Sequence, residues 1–468
     1  MTDLRTQLLG EAEGAQRQVF VAIPTGQVPA NIIPLFEVLK TQDRVVWVPT
    51  IEAERQGWLR RSRQLIAGRF PAMEQISLPA VSEYFSEWDE ALRDRFREAV
   101  APGRVAFVAN GGTKPLSFAV EAALTFSGLN AFPVIYSAGQ PSGLHLQPAG
   151  LSGPVKRLSH SARAHMSIDE VLAARGFRRD ESKPGTRIWH SSEGGARVEP
   201  PGNGYGAQAD ITADLHRNAM EASRRRRRET VGPLPTAERT GFTEEDIARM
   251  IDAVEANAQA ISQRKTGALF TLYNTFRKVG LAARNLQEVG PPLAENERIG
   301  TAFEQAVAAR VLNWLNGGAG GLASQVGEVW TNVSVAREDQ SGSAAELDVA
   351  LVMRNGSVLH LECKSSLARA RDGFSKDMAA RRMNLLDATG KFSRVFVCMP
   401  LYTAFGHEDW QVEIYNDFRK QVADRFKHIF FTLPGQPLAC EIEPEAGPEA
   451  IMVPQFEQAL EKAVRDAA

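Results

Sequence analysis

Apolar residues in the first 150 positions come in short blocks separated by helical patterns. Val19 to Ile23, Val45 to Val48, Val105 to Ala109 and Phe132 to Tyr136 are near-continuous apolar runs of strand length. Between them, Ile32 to Leu39, Glu87 to Val100 and Leu116 to Phe126 repeat their apolar positions at helical spacing. Strands buried on both faces and alternating with helices predict a mostly parallel sheet flanked by helices. The texture changes at Pro141, where Gly and Pro thicken, and they thicken again from Pro184 to Gly206. The stretch 151–290 reads as a connecting region. It holds a short helix (Ser167 to Arg175), an irregular insert (Arg178 to Arg239) and a helical part (Glu244 to Leu286).

A second compact unit is expected over 291–468. Its pattern is helix (Glu297 to Leu315), strands (Val329 to Ala336, Glu346 to Met353, Val358 to Lys364), helix (Ser375 to Leu386), strand (Arg394 to Met399) and helix (Val412 to Asp424). A short amphipathic helix, Pro454 to Val464, ends the chain. No internal repeat is visible.

Composition adds little to this picture. The chain has 468 residues, 43% hydrophobic and 24% charged, with net charge −2. That length suits about two to four domains. The balance carries no global nucleic-acid signature, so a basic contact surface has to be local; Arg224 to Arg228 is the one dense run, and charge runs more often lie in solvated linkers. No apolar stretch approaches the ~20 residues of a membrane span, and no apolar leader opens the sequence. Cys363, Cys398 and Cys440 lack a Cys-x-x-Cys spacing, which argues against zinc and a disulfide framework. A cytoplasmic location is expected. His145, His160, His165 and His190 have no ligand spacing and read as surface residues.

The chemistry concentrates on the second unit. Side chains alternate faces along a strand, so Glu346 and Asp348 share one face, and His360, Glu362 and Lys364 share another. Whether the two faces coincide depends on the turn. A two-residue loop at Asn355-Gly356 would pair Asp348 with Cys363 and put the carboxylates on opposite sides. A three-residue loop, Arg354-Asn355-Gly356, pairs Met353 with Ser357 and Asp348 with Glu362; its last position is left-handed, which suits Gly356. A joint site therefore requires the three-residue loop. Asp348 and Glu362 would then hold Mg²⁺ or Mn²⁺, with Glu304 on the preceding helix joining from a third side. Lys364 would orient a metal-bound water or stabilise a pentavalent phosphate. Glu346 is either part of this site or a hydrogen-bonded structural carboxylate.

The first unit has its own candidate site. After a strand, Asn110-Gly111-Gly112-Thr113-Lys114-Pro115 enters a helix. Thr113 can cap it, and Pro115 suits the first turn. Lys114 sits at the positive end of the helix dipole, which makes sense if it faces a bound anion. A parallel loop, Pro24 to Asn31, follows the first strand. The spacing fits neither a P-loop nor a dinucleotide fingerprint.

Helix Glu, strand Asp and strand Glu-x-Lys over Glu297 to Pro400 resemble the PD-(D/E)xK nuclease superfamily, with Leu347 in place of the usual proline. Asn110 to Lys114 resembles the signature of the CRISPR-associated Rossmann fold, the CARF domain, over about residues 15 to 150. Met166 to Leu172 followed by Gly176-Phe177 resembles the segment after that domain in such nucleases. The combined resemblance implies an α/β chain: a Rossmann-like CARF domain (1–150) and a restriction-endonuclease-like α/β domain (291–468). It further implies a homodimer that binds cyclic oligoadenylate, cyclic tetra-adenylate favoured, and then cuts DNA or RNA in type III CRISPR defence. By that similarity Thr25, Gly26, Gln27, Asn31, Asn110, Gly112, Thr113 and Lys114 are the ligand candidates. Two rival readings are a CARF-fused nucleic-acid-binding regulator and an unregulated restriction- or repair-type nuclease.

Overall fold

A computed structural model describes residues 5, 17–82, 90–101, 103–112, 114–129, 132–138, 143–147, 155–158, 165–191, 304, 307–363, 374–400, 427–431, 438–442, 449–453 and 456–467. Thr113, His160, Arg224 to Arg228, Lys364 and the helices expected over 244–286 and 412–424 lie outside the described residues.

The described chain is a mixed α/β structure with two large sheets. The first contains β1 (Gln18–Ala22), β2 (Arg44–Trp47), β3 (Glu74–Ser77), β4 (Arg104–Val108), β5 (Val134–Ala138), β6 (Gly143–Gln147) and β7 (Lys156–Leu158), in the order β3-β2-β1-β4-β5-β6-β7. Strands β1 to β5 run parallel, and β6 and β7 return antiparallel. The central strands read as continuous apolar runs because both faces are covered. Phe20, Val45, Trp47 and Ala106 enter one core; Val19, Val21, Val46 and Phe107 enter another. From β1 the chain builds outward to β2 and β3, then crosses back to β4. The order therefore reverses between β1 and β4, the position where open α/β sheets form a crevice at the strands' carboxyl ends.

The second sheet contains β8 (Phe177–Arg179), β9 (Thr186–His190), β10 (Val326–Arg337), β11 (Ala345–Met353), β12 (Val358–Cys363), β13 (Arg394–Pro400) and β14 (His428–Phe431). Its order is β14-β13-β12-β11-β10-β8, with β9 also on β10. Neighbours from β10 to β12 are antiparallel; β12, β13 and β14 are parallel, and the helix Phe374–Thr389 lies between β12 and β13 in the chain. A separate hairpin joins β15 (Leu438–Ile442) to β16 (Glu449–Val453).

Two features differ from the expectation for 151–290. Strands β8 and β9 pair onto β10 rather than connecting the units, and β7 extends the first sheet. These strands have three to five residues, too few for a period of two to show; pairing and packing define them instead.

The two units share a core. Ile33 of the first sheet's helix Val28–Val38, Val171 and Leu172 of the short helix Ile168–Ala173, and Met166 just before that helix cluster with Val352, Val358, Leu385 and Ala388 of the second. Full burial of each such aliphatic side chain is worth about 1.5–3 kcal/mol, so the shared core binds the units firmly. The other face of the second sheet packs on the helical residues 307–313 and on the helix Phe456–Ala467.

Candidate active site and effector crevice

The β11–β12 turn decides whether the acids meet. Val352 pairs with Val358, Ala350 with His360 and Val349 with Leu361. The same register puts Met353 opposite Ser357, and Met353 N donates to Ser357 O at 2.8 Å while Gly356 N donates to Met353 O at 3.0 Å. This is the three-residue loop, with Gly356 left-handed at φ 76°. Carried toward the open end, the register sets Asp348 opposite Glu362, on one face with His360.

The three side chains are buried, at 6%, 1% and 2% exposure for Asp348, Glu362 and His360. One ligand atom from each lies within 4.8 Å of the others. Asp348 Oδ2 accepts from Cys363 N at 2.7 Å, so the carboxylate takes over the ladder where β12 ends. His360 Nε2 accepts the Asp348 backbone N–H at 3.0 Å. A ring nitrogen that accepts is unprotonated, which assigns the proton to Nδ1 and occupies the nitrogen facing the acids. The oxygens of Asp348 and Glu362 are then the natural cation ligands, and two carboxylates suit a hard, partly hydrated ion. His360 holds the strand edge that aims them.

Arg381, from the helix Phe374–Thr389, donates to Glu362 Oε1 at 3.0 Å, and its side chain is 55% exposed. The sequence offered no motif for Arg381, because its helix reaches the sheet only through the tertiary fold. Glu304 is half-buried. Burial, the neighbouring Cys398 thiol, and the charges of Asp348 and Glu304 push the Cys363 thiol well above its usual pKa. Glu304 and Asp348 thus act on one thiol from two elements. Glu346 is not one of the three clustered donors: its side chain is 45% exposed and sits 3.8 Å from Lys183 Nζ. Cys363 and Cys398, remote in sequence, face each other across β12 and β13.

The loops after β1 and β4 meet at the crevice. They approach so closely that a Cβ on Gly111 would lie 1.8 Å from Ile23 O; only glycine fits. Gly112 is left-handed at φ 79°. Asn31 is fully buried and donates from Nδ2 to Ile23 O at 2.7 Å, so it ties the first loop to its strand. Thr25 Oγ1 accepts from Gln27 N at 3.3 Å. Lys114 is exposed at the start of the helix Lys114–Phe126. Gln27 and Asn110 line a cleft of about 140 Å³ whose other wall is Asn355 to Ser357, the turn of the acidic hairpin, with Gly390 and Arg394.

Arg175 bridges this cleft. Its Nη1 donates to Gly26 O at 2.6 Å, and a Cβ on Gly390, just past the end of the Arg381 helix, would lie 2.5 Å from its Nη2. Gly356 is equally tight: a Cβ there would lie 2.7 Å from Ile33 Cδ1.

Among the histidines expected at the surface, His165 is buried, 8% exposed, and His190 is half-buried. Both stand beside Glu328. The pairing of β9 with β10 creates this group, and no spacing along the chain announces it.

Neither a protein-family model nor a curated protein matches the sequence. The fold is similar to that of protein VC1899 from Vibrio cholerae, at 13% identity and a TM-score of 0.53, covering 88% of this chain and 94% of that one. Two further solved structures align over 96% of this chain at lower scores. One is Can2 from Sulfobacillus thermosulfidooxidans in complex with cyclic tetra-adenylate (13% identity, 99% of that chain, TM-score 0.49). The other is a type III CRISPR defence DNA nuclease activated by cyclic oligoadenylate (17% identity, 52% of that chain, TM-score 0.46). At these identities the likeness is one of fold. No helix among the described residues is long and apolar enough to cross a membrane.

Proposed function

We propose that the chain is a metal-dependent nuclease whose cleavage of DNA or RNA is switched on by a cyclic oligoadenylate. The observation that carries this reading is the hairpin register, which brings Asp348 and Glu362 together on one buried sheet face. A Mg²⁺ or Mn²⁺ ion held by the two carboxylates would acidify a water and offset charge on the scissile phosphate. The chain's own groups do the rest. Cys363 N and His360 fix the Asp348 edge. Glu304 closes the site from its helix. Lys364, two residues beyond Glu362 in the sequence, would orient the attacking water. Arg381, 55% exposed, would leave Glu362 and meet a substrate phosphate.

In the same reading, Thr25, Gly26, Gln27, Asn110, Gly112, Thr113 and exposed Lys114 receive the cyclic ligand at the β1/β4 crevice, and a second copy of the chain completes its pocket. Asn31 shapes the loop from below. Ligand contact at Gly26 and Gln27 shifts Arg175, and with it the hairpin turn and the end of the Arg381 helix. Such control requires the ligand to bind the active arrangement more tightly than the resting one.

The second reading is a regulator that binds nucleic acid without cutting it. The Arg381–Glu362 contact, which neutralises one of the two acids, is the observation in its favour. Incubating supercoiled plasmid with Mg²⁺ or Mn²⁺ and cyclic tetra-adenylate separates the two: nicking supports the nuclease, and retention of intact plasmid in a shifted complex supports the regulator.

A further inference from the structure

The group at His165, His190 and Glu328 lies outside the acid pair and the effector crevice, and it is built by a local irregularity in the sheet. The β10–β11 register slips between Val326 and Glu328, so Gly327 is an extra residue; the β10–β9 register slips between Val329 and Trp330. Bulges of this kind re-aim side chains. They set Glu328 directly across from His190 and leave room for a ring over Gly327. A Cβ on Gly327 would lie 2.0 Å from both Cε1 and Nδ1 of His165, so glycine is what admits the imidazole.

Glu328 is buried, at 1% exposure. Its Oε2 accepts from Trp330 Nε1 at 2.7 Å and from Ile168 N at 3.0 Å. Oε1 faces His165 Nε2 at 3.8 Å and accepts from Arg187 Nη1 at 3.2 Å. The His165 side chain is 9% exposed, yet neither ring nitrogen has a hydrogen-bond partner. A buried imidazole without partners is costly, and it is aimed at a buried carboxylate beside a second imidazole.

We infer that His165, His190 and Glu328 form a second metal site, one for a transition ion such as Zn²⁺ rather than Mg²⁺. Two imidazoles and one carboxylate are a borderline-soft donor set that suits zinc, cobalt or nickel. Tetrahedral Zn²⁺ with bonds of ~2.0–2.1 Å holds its ligand atoms about 3.4 Å apart. The three donors, all within 4.8 Å, therefore close by about 1.4 Å at most. The bonds to Oε2 act as the outer hydrogen bonds that orient a ligating carboxylate. Half-buried His190 leaves an entry path, and Arg187, 43% exposed, can swing away as the ion enters. The ion would staple the start of the helix Ile168–Ala173 to the bulged edge of the second sheet.

The test uses the full chain carrying Asp348→Ala and Glu362→Ala, which removes the two carboxylates of the other candidate site and makes the result independent of the nuclease reading. It is titrated with Co²⁺ while visible d–d absorption is followed, and Zn²⁺ is then added as competitor. The expected result is one saturable equivalent with an imidazole-type spectrum, displaced by Zn²⁺. Binding should be at least tenfold weaker in His190→Gln, a half-buried position where the fold tolerates the change, and tighter in Arg187→Ala. Zn²⁺ should also raise the melting temperature of the doubly substituted chain but not of its His190→Gln derivative. Absence of saturable Co²⁺ binding, or binding indifferent to both His190→Gln and His165→Asn, would overturn the site.

Discussion

The two ends of the β11–β12 hairpin meet different surroundings. Its open end carries Asp348 and Glu362 in a polar pocket, where side chains take over hydrogen bonds that the ladder gives up. Its turn end carries Gly356 packed against Ile33 and Pro29 of the other unit, and Asn355 donates to Ala467 O at 2.8 Å. The ends are about 20 Å apart at ~3.3 Å per residue, and two fully hydrogen-bonded strands connect them. In the proposed reading, a push at the turn reaches the acids along these paired strands. In that reading, chemistry and control occupy one element but separate residues, so substitutions should separate them.

The largest effect is expected at the open end. Glu362→Gln should lower metal-dependent cleavage by about 10²–10³-fold, as when a group that manages transition-state charge is lost, with or without nucleotide, and single-turnover rates on plasmid check it. At the effector crevice, Gly111→Ala forces a methyl into the Ile23 carbonyl. It should cost about 1–3 kcal/mol of stability, read by urea titration, and abolish nucleotide binding.

Smaller effects mark the turn end. Arg175→Ala removes the bond to Gly26 O and should weaken the nucleotide's activation by about tenfold, near 1.4 kcal/mol of coupling. Cleavage without nucleotide should stay as it is; activation ratios at saturating ligand decide. Gly356→Ala strains a left-handed turn by about 1–2 kcal/mol and presses on Ile33. Its signature is a modest drop in melting temperature with a reduced activation ratio. If Arg175→Ala and Gly356→Ala instead lowered basal cleavage as much as Glu362→Gln does, the division between the two ends would fail.

The acid end was legible in the sequence because strand faces and turn chemistry are local. Alternation put Asp348 and Glu362 on definite faces, and a glycine at the third loop position selected the register that joins them. The crevice was legible for the same reason: Asn110 to Lys114 follows an apolar run directly. What the sequence hid depends on contacts between distant segments. Arg381 reaches Glu362 only because a crossover helix lies over β12, and Cys398 meets Cys363 only through parallel pairing. His165 and His190 read as surface residues because nothing local reveals the bulge in β10 that opens a space above Gly327. Nor did the sequence reveal that Asn31, a ligand candidate by resemblance, donates to Ile23 O.

The most direct test of the central claim is cleavage of supercoiled plasmid and of labelled single-stranded RNA and DNA with Mg²⁺ or Mn²⁺. Each is run with and without cyclic tetra- and hexa-adenylate, beside Asp348→Ala. A ligand-gated nuclease predicts cutting that needs the metal, rises strongly with a cyclic nucleotide and disappears in Asp348→Ala. Cutting that ignores the nucleotide, or that survives in Asp348→Ala, would contradict it.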